Sequence, residues 1–395
     1  MNMLKRSLAL LLALLMIGGA MNTCFAEGIA RRPIPDNEAM AFLQSLGVGW
    51  NLGNTFDAFK NGWNQNADEM TVETSWGVPL TQEAIFDALK AAGFSTVRIP
   101  VSWHDHVSGE DHVISERWLA RVQQVVDWAL ARDLYVILNI HHDEDQFLPT
   151  SAHYEESAHY ISCIWQQLAE RFRDYDEHLI FNSMNEPRVI GSAHEWFIDH
   201  ADPDCIDAID CINRLNQLFV DTVRASGGGN ATRWLLTPGY DASPEGALDE
   251  GFLLPQDPAE RVIVSVHAYR PYPFALQVNG ISTFGTTQQK MDIVQFMNKL
   301  YDRYIAQGIP VMIDEFGALN KENLQDRIDW AAFYVATASA RNLPCVWWDN
   351  GAFKGTSEGE NFGLLDRRKA EIVYPELLEV IMTYGGYEKL PEFNP

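Results

Sequence analysis

Eight short runs rich in Val, Ile, Leu and aromatic residues punctuate this 395-residue chain, and longer amphipathic stretches separate them. The runs are "GVGWNLG" (47–53), "STVRIPV" (95–101), "LYVILNI" (134–140), "LIFNSM" (179–184), "RWLLTP" (233–238), "RVIVSVHAY" (261–269), "PVMIDEF" (310–316) and "PCVWWDN" (344–350). Their cores are continuous rather than alternating, as parallel strands buried on both faces require. Helical patterns cover 81–93, 115–133, 158–175, 205–228, 287–308, 324–342 and 374–385. Thr81 is the expected cap of the first, which closes on Gly93, and Ser115 starts the second. Alternation of this kind predicts an α/β fold built as a (β/α)8 barrel. The rival, an open doubly wound sheet, usually has fewer strands, and no GxGxxG follows the first run.

The N-terminus reads "MNMLKRSLALLLALLMIGGAMNTCFAEG". Lys5 and Arg6 precede an apolar stretch from Leu8 to Ile17, and small residues follow, which is the pattern of a secretory signal with a cut after Ala26. An anchor helix is the alternative, but the stretch is short of the ~20 residues a membrane span needs. "MNTC" is a poor lipoprotein signal. Residues 1–26 are therefore expected to be a signal peptide, with residues 27–395 forming one domain, since barrels commonly exceed ~200 residues. The chain shows no long linker, low-complexity tract or short repeat.

The formal charge of −25 repels nucleic acid and anionic lipid while tolerating a neutral polymer. Cys163, Cys205, Cys211 and Cys345 lie beyond the signal. Cys205 and Cys211 are the closest pair, and both a bridge and free buried thiols are open. The absence of CxxC removes support for zinc-ribbon or thioredoxin chemistry.

A barrel of this type carries its active site at the C-terminal ends of its strands. Those ends hold Arg98, His141 and His142, Asn185 and Glu186, His267 and Tyr269, Glu315, and Trp347 and Trp348. Burying so many polar groups costs several kcal/mol each unless they are paired or used. One convergent site is the economical reading. The fourth run, "LIFNSMNEPRV" (179–189), ends on Glu186, and the seventh ends on Glu315. Two glutamates facing each other across a barrel mouth suit glycoside hydrolysis, in which one carboxyl protonates the leaving oxygen and the other attacks or activates water.

At this point the chain resembles glycoside hydrolase family 5. The resemblance rests on "GWNLGNTFDA", "VRIPVSW", "NIHHD", "FNSMNEP", "VHAY", "IDEFG" and "WWDNG" in that order. "ETSWGVPLTQEAI" and "FGLLDRRKAEIVYPELLEVI" narrow it to subfamily 4, mostly endo-β-1,4-glucanases with some xyloglucanases and mixed-linkage glucanases. It spans roughly residues 40–384. The resemblance implies a retaining double displacement with Glu186 as acid/base and Glu315 as nucleophile. It also implies Asn185 on the sugar 2-hydroxyl and Arg98 holding Glu315 ionised. His141 would line the −1 subsite, His267 would orient the carboxylates, Tyr269 would donate to Glu315, and Trp348 would stack under the −1 sugar. Arg98, His141, His142, Asn185, His267, Tyr269, Trp348 and Asn51 are thus the expected substrate-binding set, with no metal and no cofactor. The expected partner is a polysaccharide, bound by a secreted monomer.

Plainer roles compete at several positions. Arg98 can be a structural ion-pair partner, and His142 a mere supporting hydrogen-bond partner. "HHDED" (141–145) looks like a metal site, but adjacent residues on an extended chain point to opposite sides. Asp143 and Asp145 are expected as solvated loop charges. One of Trp347 and Trp348 is expected to pack in the core. Trp50, Trp63, Trp76 and Trp103 are candidates for a sugar-stacking cleft, though each can equally be core, and Asn51 and Asn54 can simply close a turn. Tyr240-Asp241 and Gly227–Gly229 read as loop features, and Asn230 heads a glycosylation sequon. Outside the glucanase reading stand a xyloglucanase, a lichenase, a mannanase, a non-catalytic glycan-binding barrel and a metal-dependent hydrolase.

Overall fold

The computed structural model describes residues 29–60, 67–354, 359–388 and 390–391. The expected signal peptide and Trp63 lie outside the described residues. All eight apolar runs are strands: β1 (Val48–Leu52), β2 (Thr96–Ile99), β3 (Tyr135–Asn139), β4 (Leu179–Asn182), β5 (Leu235–Pro238), β6 (Val262–His267), β7 (Val311–Phe316) and β8 (Cys345–Asp349). Each pairs in parallel with its neighbours in sequence, and β8 pairs with β1 to close the barrel.

Helices α1 (Ala84–Ala91), α2 (Glu116–Leu130), α3 (Tyr154–Arg171), α4 (Pro203–Ala225), α5 (Pro244–Leu248), α6 (Thr287–Arg303), α7 (Leu324–Ser339) and α8 (Pro375–Tyr384) form the outer ring. Most of the long ones bury one stripe, whereas α7 is buried on all sides from Trp330 to Ser339. On α2 this stripe is Trp118, Leu119, Val122, Val125, Val126 and Ala129, where burying a large apolar side chain contributes about 1.5–3 kcal/mol. A leading helix (Glu38–Leu46), capped by Asn37, stacks Phe42 on Trp234 at 4.3 Å and so covers the barrel floor beside β5.

Two helix starts differ from expectation, and points the sequence left open are filled in. Thr81 does not cap α1: its N–H donates to Glu73 at 2.9 Å and its carbonyl accepts from Arg121 at 2.8 Å, so the helix begins later. Helix α3 begins four residues before the expected start, at Tyr154. The helix after β5 is the short α5, too brief to leave a periodic signal. Cys205 and Cys211 sit on the same helix and are both free, as are Cys163 and Cys345. Asn230 is buried, its amide donating to the Ala169 carbonyl at 2.7 Å, so the sequon is not presented to solvent. No helix among the described residues is long and apolar enough to cross a membrane.

Candidate active site

Strand β7 breaks the strict alternation of a strand. Ile313 pairs with Val266, but Glu315 pairs with His267, so Asp314 is an extra residue. The ladder to β8 shifts at the same place. A bulge re-aims side chains, and here both Asp314 and Glu315 face the barrel axis. Asp314 accepts from Ser265 Oγ at 2.8 Å and from the Val266 N–H at 2.9 Å. It also lies 3.5 Å from Arg98 Nε. Burial works against its charge, but His267 and Arg98 hold its carboxyl below the usual range.

Arg98 is fully buried beneath this pair. Its guanidinium donates to Glu315 Oε1 at 2.6 Å, Asn51 Oδ1 at 3.0 Å and Asn185 Oδ1 at 2.8 Å. Asn51, also fully buried, spends its amide on the Asp314, Val346 and Trp347 carbonyls. Arg98 thus lies against Glu315, and Arg98 and Asn51 both spend their polar groups on protein partners. Asn185 faces both ways. Its Oδ1 is fixed by Arg98, which leaves Nδ2 as the donor for a ligand.

The two glutamates are held from opposite sides. Tyr269 Oη donates to Glu315 Oε2 at 2.9 Å. His267 Nδ1 lies 2.7 Å from Glu186 Oε1, and its Nε2 lies 3.7 Å from both Asp314 and Glu315. Burial opposes a charge on His267, but these carboxylates raise its pKa to about 10, so the ring is a cation at neutral pH. Burial likewise opposes the Glu186 carboxylate, yet His267 and Arg188 hold it below the ordinary value in the free protein. One oxygen of Glu186, one of Glu315 and a ring nitrogen of His267 lie within 4.8 Å of one another.

The other side of the mouth carries His141, His142 and Trp348. Asn139 Oδ1 accepts the Val101 N–H at 3.1 Å, so its amide nitrogen faces His141 Nδ1 at 3.0 Å. Nδ1 is then an acceptor and Nε2 keeps the proton. Burial pushes the His141 pKa well below normal, so the ring is neutral and Nε2–H is a donor. Its plane parallels Trp348 at 5.8 Å. The two histidines do not point to opposite sides, contrary to expectation. They lie past the end of β3, and their rings meet edge-on at 4.4 Å. Asp57, His141 and His142 each bring one ligand atom within 4.8 Å of the others. That donor set does not suit a metal, because His141 Nε2 is protonated and Asp57 already accepts from the Asn54 and Thr55 N–H groups at 2.8 and 2.6 Å. In the group His267 forms with the two glutamates, its Nδ1 is already engaged with Glu186 Oε1 at 2.7 Å.

Of the candidate tryptophans, Trp50, Trp103 and Trp347 are core, their indoles donating to Asp349, the Asn139 carbonyl and the Phe362 carbonyl. Trp76 is half-buried at the mouth, 5.8 Å from His142. Asp145 is exposed as expected, but Asp143 is buried and accepts from the Trp103 and His104 N–H groups and from Tyr160 Oη. Sequence reasoning missed Asp314, Arg188 and Glu144. "IDEFG" offered the one usable signal: two adjacent acids inside an apolar run cannot both be buried inward without a bulge.

Residues 60–354 match the family Cellulase (glycosyl hydrolase family 5). The chain belongs to glycosyl hydrolase family 5. It is 37% identical over 394 residues to "Endoglucanase A" of Clostridium longisporum, covering 98% of this chain and 74% of that one. A family 5 lichenase structure from Caldicellulosiruptor sp. F32 superposes with a TM-score of 0.87 at 50% identity, covering 90% of this chain and 97% of that one. A subfamily 4 broad-specificity endoglucanase from Ruminococcus champanellensis, solved with cellotriose, gives 0.82 at 44%, covering 89% and 100%. Within the family the chain groups with these subfamily 4 proteins, and it is a glycoside hydrolase of the endo-1,4-β-glucanase type.

Proposed function

We propose that this protein is a secreted, retaining endo-glucanase that cleaves internal β-1,4 bonds of cellulose and mixed-linkage β-glucans. The carrying observation is the approach of a Glu186 oxygen to a Glu315 oxygen within 4.8 Å. Retaining enzymes place their carboxyls ~5–5.5 Å apart, whereas inverting ones leave ~6.5–9.5 Å for a water. Glu315, beside Arg98 and Tyr269, attacks the anomeric carbon of the −1 sugar. Glu186 gives its proton to the departing glycosidic oxygen. The same carboxylate then takes a proton from the water that releases the glycosyl-enzyme. His141 Nε2–H and Asn185 Nδ2 are the donors for the −1 hydroxyls, and Trp348 offers the apolar face for the ring.

Proton NMR of products released in the first minutes tests the stereochemistry. The β-anomer is expected first; the α-anomer first would overturn retention. Initial rates on carboxymethyl-cellulose, barley β-glucan, xyloglucan and mannan test the substrate. Strong activity on the first two is expected. Likeness to a lichenase at 50% identity favours mixed-linkage glucan as the better of them. Export rests on residues 1–26, and retention of the full chain inside a producing host would contradict it.

A further inference from the structure

Helix α3 carries His159 and Cys163 one turn apart, at the i and i+4 positions that share a helix face. Cys163 Sγ lies 3.8 Å from His159 Nδ1 and 3.7 Å from its Nε2. Facing them is an antiparallel hairpin, Val107–Ser108 paired with Val113–Ile114, in the stretch between β2 and α2. Its turn holds His112, in left-handed backbone at φ 44°. The His112 ring centroid lies 5.6 Å from that of His159. Two imidazoles and a thiol, drawn from two elements, thus meet on the outer surface, and none of them belongs to the glutamate site. The hairpin is also tied to the helix. Gln167, one turn beyond Cys163, accepts from the Ile114 N–H at 2.8 Å and donates to the His112 carbonyl at 3.0 Å. His159 Nε2 lies 2.9 Å from the Glu110 carbonyl of the same turn. A carbonyl only accepts, so Nε2 carries the proton and Nδ1 keeps its lone pair. Metal-binding histidines are held in this way, with the other ring nitrogen donating to a carbonyl or carboxylate.

We propose that His159 Nδ1, Cys163 Sγ and a ring nitrogen of His112 form a binding site for one zinc-class divalent cation, which staples the hairpin to α3. Bond lengths of about 2.3 Å to sulfur and about 2.0–2.1 Å to nitrogen set the geometry of tetrahedral zinc. They place sulfur and nitrogen about 3.6 Å apart, and the centroids of two bound imidazoles about 5 Å apart. The separations here, 3.8 and 5.6 Å, are slightly longer. The sulfur is also nearly equidistant from both nitrogens of His159, so the side chains do not yet aim at one point. Closing the site takes side-chain torsions alone, because His159 is exposed and His112 and Cys163 are partly so. A thiolate with two imidazoles suits a borderline-soft ion such as Zn²⁺ and gives no advantage to Ca²⁺ or Mg²⁺, which take oxygen ligands. As the Zn–S bond forms, the Cys163 thiol gives its proton to solvent. Water or Asp111 fills the fourth place; the field of Asp111 reaches both His112 and Cys163. The staple acts on stability and takes no part in turnover.

The test uses the purified protein with its thiols reduced, cobalt chloride as a spectroscopic probe and zinc chloride in calorimetry. One equivalent of cobalt is expected to give the strong visible bands of a tetrahedral site together with a thiolate-to-metal band in the near ultraviolet. One equivalent of zinc should abolish both. Cys163→Ser should lose the thiolate band, and His159→Ala and His112→Ala should each weaken zinc by about tenfold or more, the scale on which even supporting partners of a ligand act. These are surface positions, so the variants fold, as thermal melts without metal will record. Zinc at ten times its Kd should raise the melting temperature of the wild type by about 2 °C, and leave its rate on barley β-glucan unchanged. Absence of the thiolate band from the wild type overturns the proposal. So does zinc binding that survives equally in Cys163→Ser and His159→Ala; if that zinc also stops β-glucan hydrolysis, the ion sits at the glutamates instead.

Discussion

Buried without a sugar to touch, Arg98 binds Glu315, Asn51 and Asn185 at once and sits against Asp314. An arginine suits this place because its planar fork serves several acceptors in fixed directions. Glu315 is thereby fixed in place from below. Glu315→Gln should lower kcat by roughly 10⁴-fold or more, the scale on which removing a nucleophile acts, while the melting temperature stays near wild type. A variant with wild-type turnover would refute the nucleophile assignment. His267 carries a stability prediction. Its pKa is about 10 in the folded chain against an ordinary 6.5. A raised value means the stabilisation is fully present below 6.5 and is lost as pH rises through about 10. In urea titrations His267→Gln should be less stable than wild type at pH 6.5, and the gap should close towards pH 10.5. A gap constant with pH would show that the ring matters only for packing.

At the scale of elements, the bulge in β7 and the close fit of β1 against β8 build the site. Gly53, just past β1, lies so close to Trp348 that a Cβ there would meet the indole at 2.7 and 2.8 Å and the Asp349 carbonyl at 3.0 Å. The indole also parallels His141 at 5.8 Å. Gly53→Ala is expected to displace the Trp348 ring and raise KM for β-glucan about tenfold, near 1.4 kcal/mol of binding, with kcat less affected. An unchanged KM would mean that Trp348 is not the sugar platform. The loop between β4 and α4 does a comparable job on the opposite wall. Arg188 reaches back to the Glu186 carbonyl at 2.9 Å and stacks under the exposed Trp196 at 4.1 Å, tying the acid to the rim of the cleft.

Among the described residues, the eight parallel strands close without an edge, and the polar residues collect at their C-terminal end, away from the leading helix that packs on Trp234. The chain freed of residues 1–26 is expected to unfold in one cooperative transition with full activity; two transitions would break the single-domain reading. The barrel itself was legible in the sequence, since continuous Val/Ile/Leu runs separated by helical stripes leave few other ways to bury both faces of a strand. So was the gathering of Glu186, Glu315, His141, His267, Tyr269 and Trp348 at one mouth, because strand order and strand direction put each run's last polar residues there. The place of Arg98 beside Glu315 came from the family resemblance, and the supporting bonds of Asn51 were not legible. Whether a strand-end polar group meets solvent or props a neighbour depends on depth along the axis, which a run of letters does not encode. Asp314 escaped for a related reason. A bulge changes the face a residue takes. Sequence by itself determined the strand and helix periodicities, and with them the fold and the pair of glutamates, because those follow from local spacing and burial. Tertiary structure alone decided which carboxyl is paired with which cation, because charge coupling depends on distances that arise only when separate strands close into one ring.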